Sequence, residues 1–153
     1  MNTLSLISWN VNGVRAVLCL QEIRATKSQL DNELVNPFDY HTYWNSAEKK
    51  GYGGTALLTR KKPNSVKFGI GDNTFDKEGR TIIAEYSEFT LINCYFPNGN
   101  RNSERLDFKL RFYKAFINKC VHLRKKGHRL VFCGDLNTAH TEMDLAKPTQ
   151  NQN

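Results

Sequence analysis

A chain of 153 residues with 39% hydrophobic and 24% charged residues is long enough to bury one core, and that balance excludes a disordered or collagen-like protein. Lys and Arg number 22 against 15 Asp and Glu, and the formal net charge of +7 favours a polyanionic partner without identifying one. The cysteines Cys19, Cys94, Cys120 and Cys133 show no C-x-x-C spacing, which argues against a zinc site or a disulfide framework, and no apolar stretch approaches membrane-spanning length. One soluble, cytoplasmic domain with buried, reduced thiols and no membrane partner is the expectation.

In chain order, residues 4–9 read as a strand that runs into the turn-forming Asn10-Val11-Asn12-Gly13, so Asn10 sits at a strand end. A second apolar run over 17–20 closes on Gln21 and Glu22. Glu22 reads either as a solvated charge or as a carboxylate presented at a strand end. Thr26, with Gln29 three residues on, is a capping-box pattern that predicts a short helix from 27 to about 35, stopped by Asn36-Pro37. Residues 40–44 form a polar-aromatic strand. The stretch AEKKGYGG at 47–54 suits two roles equally: a basic, glycine-rich loop that admits a phosphate, or a plain surface hairpin leading into a strand over 55–59.

A further strand is predicted over 66–70 and a charged turn over 76–80. Residues 81–86 and 89–96 are rich in β-branched and aromatic side chains and predict an antiparallel hairpin that delivers Tyr95 to the end of its second arm. The one long helix is predicted over 103–126. It carries Leu106, Leu110, Tyr113, Ile117, Cys120 and Val121 on one stripe and Phe108, Phe112 and Phe116 on an adjacent one, read together as a wide face packed on a sheet, with Gly127 as the cap. The apolar run 130–133 fits a strand covered on both faces, broken by Gly134. Asp135 and Asn137 follow at i, i+2, so an extended backbone points both side chains the same way at the sheet edge, where α/β proteins place their chemistry. On its own, Gly-Asp-Leu-Asn is also the composition of a simple turn.

In this order, SWNVNGVRA at 8–16, LCLQEIRA at 18–25, AEKKGYGG at 47–54, CYFPNGNR at 94–101 and GDLNTAH at 134–140 closely resemble the exonuclease III and apurinic/apyrimidinic endonuclease family, within the wider endonuclease/exonuclease/phosphatase superfamily. The resemblance covers nearly the whole chain, and the motifs are specific as a set. It implies a four-layered α/β sandwich of two packed sheets that uses Mg2+ or Mn2+ to hydrolyse phosphodiester bonds in DNA repair. It makes Glu22 the principal metal ligand, within a site that also holds Asn10, Asp135 and Asn137. Asp135 is then expected to orient or deprotonate the attacking water, Asn137 to hold the scissile phosphate, and Tyr95 to contact that phosphate. Arg101 and the Lys49-Lys50 pair are expected beside the DNA backbone. The implied substrate is double-stranded DNA with abasic sites or 3′ ends, and the intact family fold is expected to be monomeric.

Two features depart from the family pattern. The first helix is missing between the segments at 8–16 and 18–25, and the carboxy-terminal half with its closing Ser-Asp-His motif has no counterpart in the sequence. The expectation is therefore an incomplete four-layered sandwich, one partial domain over 1–153, with a mixed β-sheet and flanking helices. Asn10 is expected on a strained crossover or a displaced first strand. The polypeptide alone is expected to be weakly active or inactive, with a non-catalytic DNA-binding module and a small-phosphoester phosphatase as alternatives.

Overall fold

Two strands dense in β-branched and aromatic residues, β5 (Thr81–Glu85) and β6 (Thr90–Tyr95), form the centre of a computed structural model that describes residues 17–99 and 102–145. They pair antiparallel in the expected hairpin, from Thr81 opposite Cys94 to Glu85 opposite Thr90. β4 (Ser65–Phe68) flanks β5 antiparallel, and β7 (Leu130–Asp135) flanks β6 in parallel, giving a four-stranded sheet in the order β4-β5-β6-β7. The parallel pair needs a long crossover, and α3 (Ser103–Lys125) supplies it. Asn102 opens this helix by accepting from Arg105 N at 2.8 Å, and Gly127, at φ 88°, closes it.

A second sheet holds β1 (Val17–Gln21), β3 (Thr55–Thr59) and β2 (His41–Asn45) in the order β1-β3-β2, with β3 antiparallel to both neighbours. Strand alternation assigns the two faces of the four-stranded sheet. Ile83, Ile92 and Cys94 pack with Phe112, Phe116 and Leu123 of α3, while Ile82, Ala84 and Leu91 pack with Leu57 of the second sheet. The described layers are therefore α3, the four-stranded sheet and the three-stranded sheet.

The sheets are also joined by a buried polar link. Asn93 on β6 accepts from Gln21 Nε2 at 2.7 Å and donates Nδ2 to Leu20 O at 3.1 Å and Ala56 O at 2.9 Å. A fully buried amide is tolerated because these partners satisfy it.

Several expectations change. The helix expected over 27–35 is split into a 3₁₀ turn (Lys27–Gln29) and a single turn α1 (Asn32–Val35). The Gln29 side chain reaches back to Thr26 N at 2.9 Å, closing the capping box within one turn, and Leu30 is extended. Another single turn, α2 (Asn73–Asp76), runs into the charged turn expected over 76–80, and Arg80 at the end of that turn is buried. On α3 the phenylalanine stripe packs inward, whereas Leu106, Leu110, Ile117 and Val121 stay exposed, because the sheet beneath the helix meets one side of it. Among the described residues the run 130–133 is the edge strand β7, paired with β6 alone, and not one covered on both faces: Val131 and Phe132 are 50% and 49% exposed. All four cysteines are free, with Cys94 buried and Cys19, Cys120 and Cys133 half-buried. The first strand and the crossover expected after it lie outside the described residues, as do Asn10 and Arg101.

Candidate active site

Tyr95 and Asp135, the last residues of β6 and β7, are Cα partners across the parallel pair. Alternation puts Tyr95 on the same face of β6 as Asn93, the face that meets β1. Because Gln21 and Leu20 bond Asn93, β1 ends at this same end of the sandwich and hands Glu22 to it. Glu22, Tyr95, Asp135 and Asn137 thus converge from three strand ends on two sheets. A strand-end site of this kind is where an α/β sheet presents chemistry.

Glu22 and Asn137 both have left-handed backbones, at φ 54° and 50°. A glutamate held there is strained, and surrounding contacts must fix it. Arg24 N donates to Gly53 O at 2.9 Å and Ile23 N to Gly54 O at 3.4 Å, which pins the segment after Glu22 against the glycine-rich loop. A Cβ on Gly54 would meet Ile23 Cγ1 at 2.7 Å, so this glycine admits the neighbouring chain rather than a ligand.

Residues 135–137 do not continue as the extended strand that the sequence suggested. Asp135 Oδ1 accepts from Asn137 N at 2.8 Å, a short-range turn that competes with the strand. Asn137 Nδ2 then donates to Phe96 O at 2.8 Å, while Lys109 Nζ donates to Asn137 O at 2.6 Å and Tyr113 OH to Leu136 O at 2.7 Å. Two side chains of α3 therefore grip the turn.

The Arg24 guanidinium, in an ion pair with Glu22, holds the Glu22 carboxyl below its usual value, against an opposing effect of burial and with help from Tyr95. Burial and then the Glu22 charge push the Tyr95 phenol up, while Asn137 and Arg80 oppose them. Tyr95 consequently lies in electrostatic reach of Glu22, Asn137 and Arg80. Burial lowers the Lys109 ammonium, and the nearby Asp135 charge opposes that shift.

Behind Tyr95 lies a charged cluster. Arg80 and Glu78 form an ion pair, and Arg105 grips Glu78 with both terminal nitrogens at 2.8 and 2.7 Å. Tyr52 OH accepts from Arg80 Nη2 at 3.3 Å and Arg105 Nη2 at 2.8 Å, and Lys49 Nζ lies 5.4 Å from the Tyr52 ring centroid. Lys49 thus reaches the site through Tyr52, whereas Lys50 is simply exposed on the same loop.

The profile described as the Endonuclease/Exonuclease/phosphatase family matches residues 7–153. The chain belongs to the endonuclease/exonuclease/phosphatase family. Over 98% of its length it is 40% identical to an exodeoxyribonuclease of Bacillus subtilis (strain 168), covering 65% of that protein. It is 36% identical to a DNA-(apurinic or apyrimidinic site) endonuclease of Dictyostelium discoideum over 99% of its length, covering 46% of that one. Its fold superposes on a 3′ phosphatase, NExo, from Neisseria bound to product DNA hairpin, with a TM-score of 0.75 and 27% identity over 92% of this chain and 54% of the other. The chain therefore spans roughly half to two thirds of the length of these relatives.

Members of the endonuclease/exonuclease/phosphatase family are generally dependent on divalent metal ions. The donors present fit such an ion: Glu22 and Asp135 offer hard carboxylate oxygens from two strand ends, and Asn137 an amide. Among the described residues no three His, Cys, Asp or Glu side chains close into a protein cage. A small number of carboxylates is what a cation uses when it keeps waters and substrate oxygens in its shell.

Glu78, Arg80 and Arg105 are the residues that sequence reasoning missed. The pattern Glu78-Gly79-Arg80 reads as a turn, and its inward direction becomes visible only through α3, whose Arg105 caps Glu78 from a distant segment. Of the anticipated site residues, the structure brings Glu22, Tyr95, Asp135 and Asn137 together and leaves Lys49 and Lys50 on the adjoining loop.

Proposed function

We propose that this chain carries the metal-binding half of a Mg2+- or Mn2+-dependent DNA phosphodiesterase, an exodeoxyribonuclease that also incises at abasic sites in base-excision repair. The observation that carries this reading is the meeting of Glu22, Tyr95 and the Asp135–Asn137 turn at one end of the sandwich, with Glu22 held in a strained backbone. An exodeoxyribonuclease and an apurinic/apyrimidinic-site DNA endonuclease among the relatives, and the DNA hairpin bound to a third, support DNA as the substrate. The cytoplasm is the compartment this reading assigns.

In this reading Glu22 would be the main metal ligand, and Asn10, Asp135 and Asn137 would help to hold the ion. A bound divalent cation supplies charge stabilisation at the phosphate and lowers the pKa of water. Asp135 orients the attacking water and accepts its proton. Tyr95 and Asn137 donate hydrogen bonds to non-bridging oxygens of the scissile phosphate, where negative charge grows in the transition state. The basic loop with Lys49 and Lys50, together with Arg101, steers the duplex through its phosphates. The 153-residue sequence contains no Ser-Asp-His motif. Assayed as this 153-residue polypeptide, a site without such a preorganised group is expected to be slower by on the order of 10²–10³.

Cleavage of a duplex bearing one abasic site, with Mg2+ and with EDTA, tests the reading. Slow, Mg2+-dependent incision that Glu22→Ala abolishes is the expected result. Duplex binding that weakens with salt but is never followed by incision, even at long times, would establish a non-catalytic DNA-binding module instead. Turnover of a small phosphoester with none on DNA would make it a phosphatase.

A further inference from the structure

We infer that Arg80 is a positioning residue for Tyr95, fixing the phenol where it faces Glu22 and the 135–137 turn. As far as cleavage is concerned, this rests on the proposed function. The geometry itself stands independently of it.

Arg80 is joined to Tyr95 in three ways. Tyr95 N donates to Arg80 O at 2.8 Å, Arg80 Nη1 donates to Tyr95 O at 2.9 Å, and the guanidinium carbon lies 4.8 Å from the centroid of the Tyr95 ring. The first two hold the strand end. The third covers one side of the ring and blocks its swing about χ1.

The guanidinium is itself held from the other side. Its Nε bonds Glu78, its Nη2 bonds Tyr52 OH, and Glu78 and Tyr52 are both gripped by Arg105 at the start of α3. At 2% exposure Arg80 has no access to bulk solvent, so its orientation follows from these partners. Only a planar fork bonds a carboxylate, a carbonyl and a phenol at once while stacking on a ring, and lysine has a single nitrogen for the same tasks. The arrangement exceeds what an ion pair between Glu78 and Arg80 needs for stability alone. It spends a buried guanidinium on both the backbone and the ring of one residue.

Arg80→Met and Arg80→Lys in the full chain test the role, with three-bond N–Cγ and C′–Cγ couplings of Tyr95 reporting its χ1 rotamer directly. In the parent a single rotamer is expected. In folded Arg80→Met the couplings should average over two or more rotamers, and Arg80→Lys should fall between, because an ammonium still covers the ring but cannot hold the carbonyl and Glu78 together. Where the parent incises abasic duplex, Arg80→Met should lower the single-turnover rate by about 10²-fold with duplex affinity unchanged, as expected for a reacting group displaced by roughly 1 Å. Parent-like couplings in either folded variant overturn the inference. So does failure of both variants to fold, which would make the residue a structural one. Averaged couplings in a chain that never incises DNA uphold the positioning and defeat the proposed function instead.

Discussion

Tyr95 and Asp135 end adjacent parallel strands as Cα partners, and Gly134 is what lets them meet. At φ 144° a Cβ on Gly134 would lie 1.8 Å from Cys94 O, a carbonyl of the neighbouring strand. No side-chain rotation relieves a clash with backbone. Gly134→Ala should therefore destabilise the protein by about 3 kcal/mol or more, read as a fall in the urea midpoint, and should displace Asp135 from its partner. A midpoint within error of the parent would show that β7 has room this structure does not.

The link between the sheets makes a second case. Asn93→Leu adds apolar surface at a buried position yet strips partners from Gln21 Nε2, Leu20 O and Ala56 O. Gln21 Nε2 keeps Cys19 O at 3.2 Å, but the two carbonyls lose their side-chain donor, and unpaired buried groups cost about 1–3 kcal/mol each, together more than a single buried apolar side chain returns. The expected outcome of chemical denaturation is a loss of about 2 kcal/mol. A gain in stability would mean that water reaches the gap between the sheets.

Acid should dismantle the cluster behind Tyr95. Burial raises the Glu78 carboxyl, but Arg105 and Arg80 outweigh it and bring the group below its ordinary value of 4.5. The depressed pKa contributes stability that is fully present above about pH 4.5 and lost as pH falls through the folded value. Glu78→Gln should cost about 3 kcal/mol near neutrality, since it leaves Arg80 buried without a counter-charge. The gap between parent and variant should shrink below pH 4.5 when melting temperatures are compared across pH. A gap independent of pH would rule out the carboxylate charge as its source.

Arg24 competes with any cation for Glu22. The two form an exposed ion pair that a metal ligand must give up. Arg24→Ala should raise affinity for Mn2+ in a calorimetric titration, with the gain fading as salt screens the pair. Weaker binding would mean that Arg24 helps to shape the site.

Much of this was legible in the residues. The hairpin of β5 and β6, the long helix and its glycine cap followed from β-branched density, apolar periodicity and positive-φ preference, all local signals. Strand ends carrying Glu22, Tyr95 and Asp135 were visible too, although their convergence was not, because register between sheets is set by contacts such as Asn93 to Gln21 that no periodicity encodes. The run at 130–133 looked covered on both faces because composition reports what a strand prefers and not what lies beside it. Arg80 was unreadable for a related reason: burial of a charge depends on Glu78 and on Arg105, 25 positions further on, whose pairing only the fold reveals.

Electron paramagnetic resonance of Mn2+ with the parent chain, Glu22→Ala and Asp135→Ala tests the shared site most directly. The account expects one bound ion in the parent, displaced by Mg2+, lost in Glu22→Ala and weakened in Asp135→Ala. Equal Mn2+ binding by the parent and a folded Glu22→Ala would contradict it, because the strand ends that converge here would then hold no metal through the residue placed at their centre.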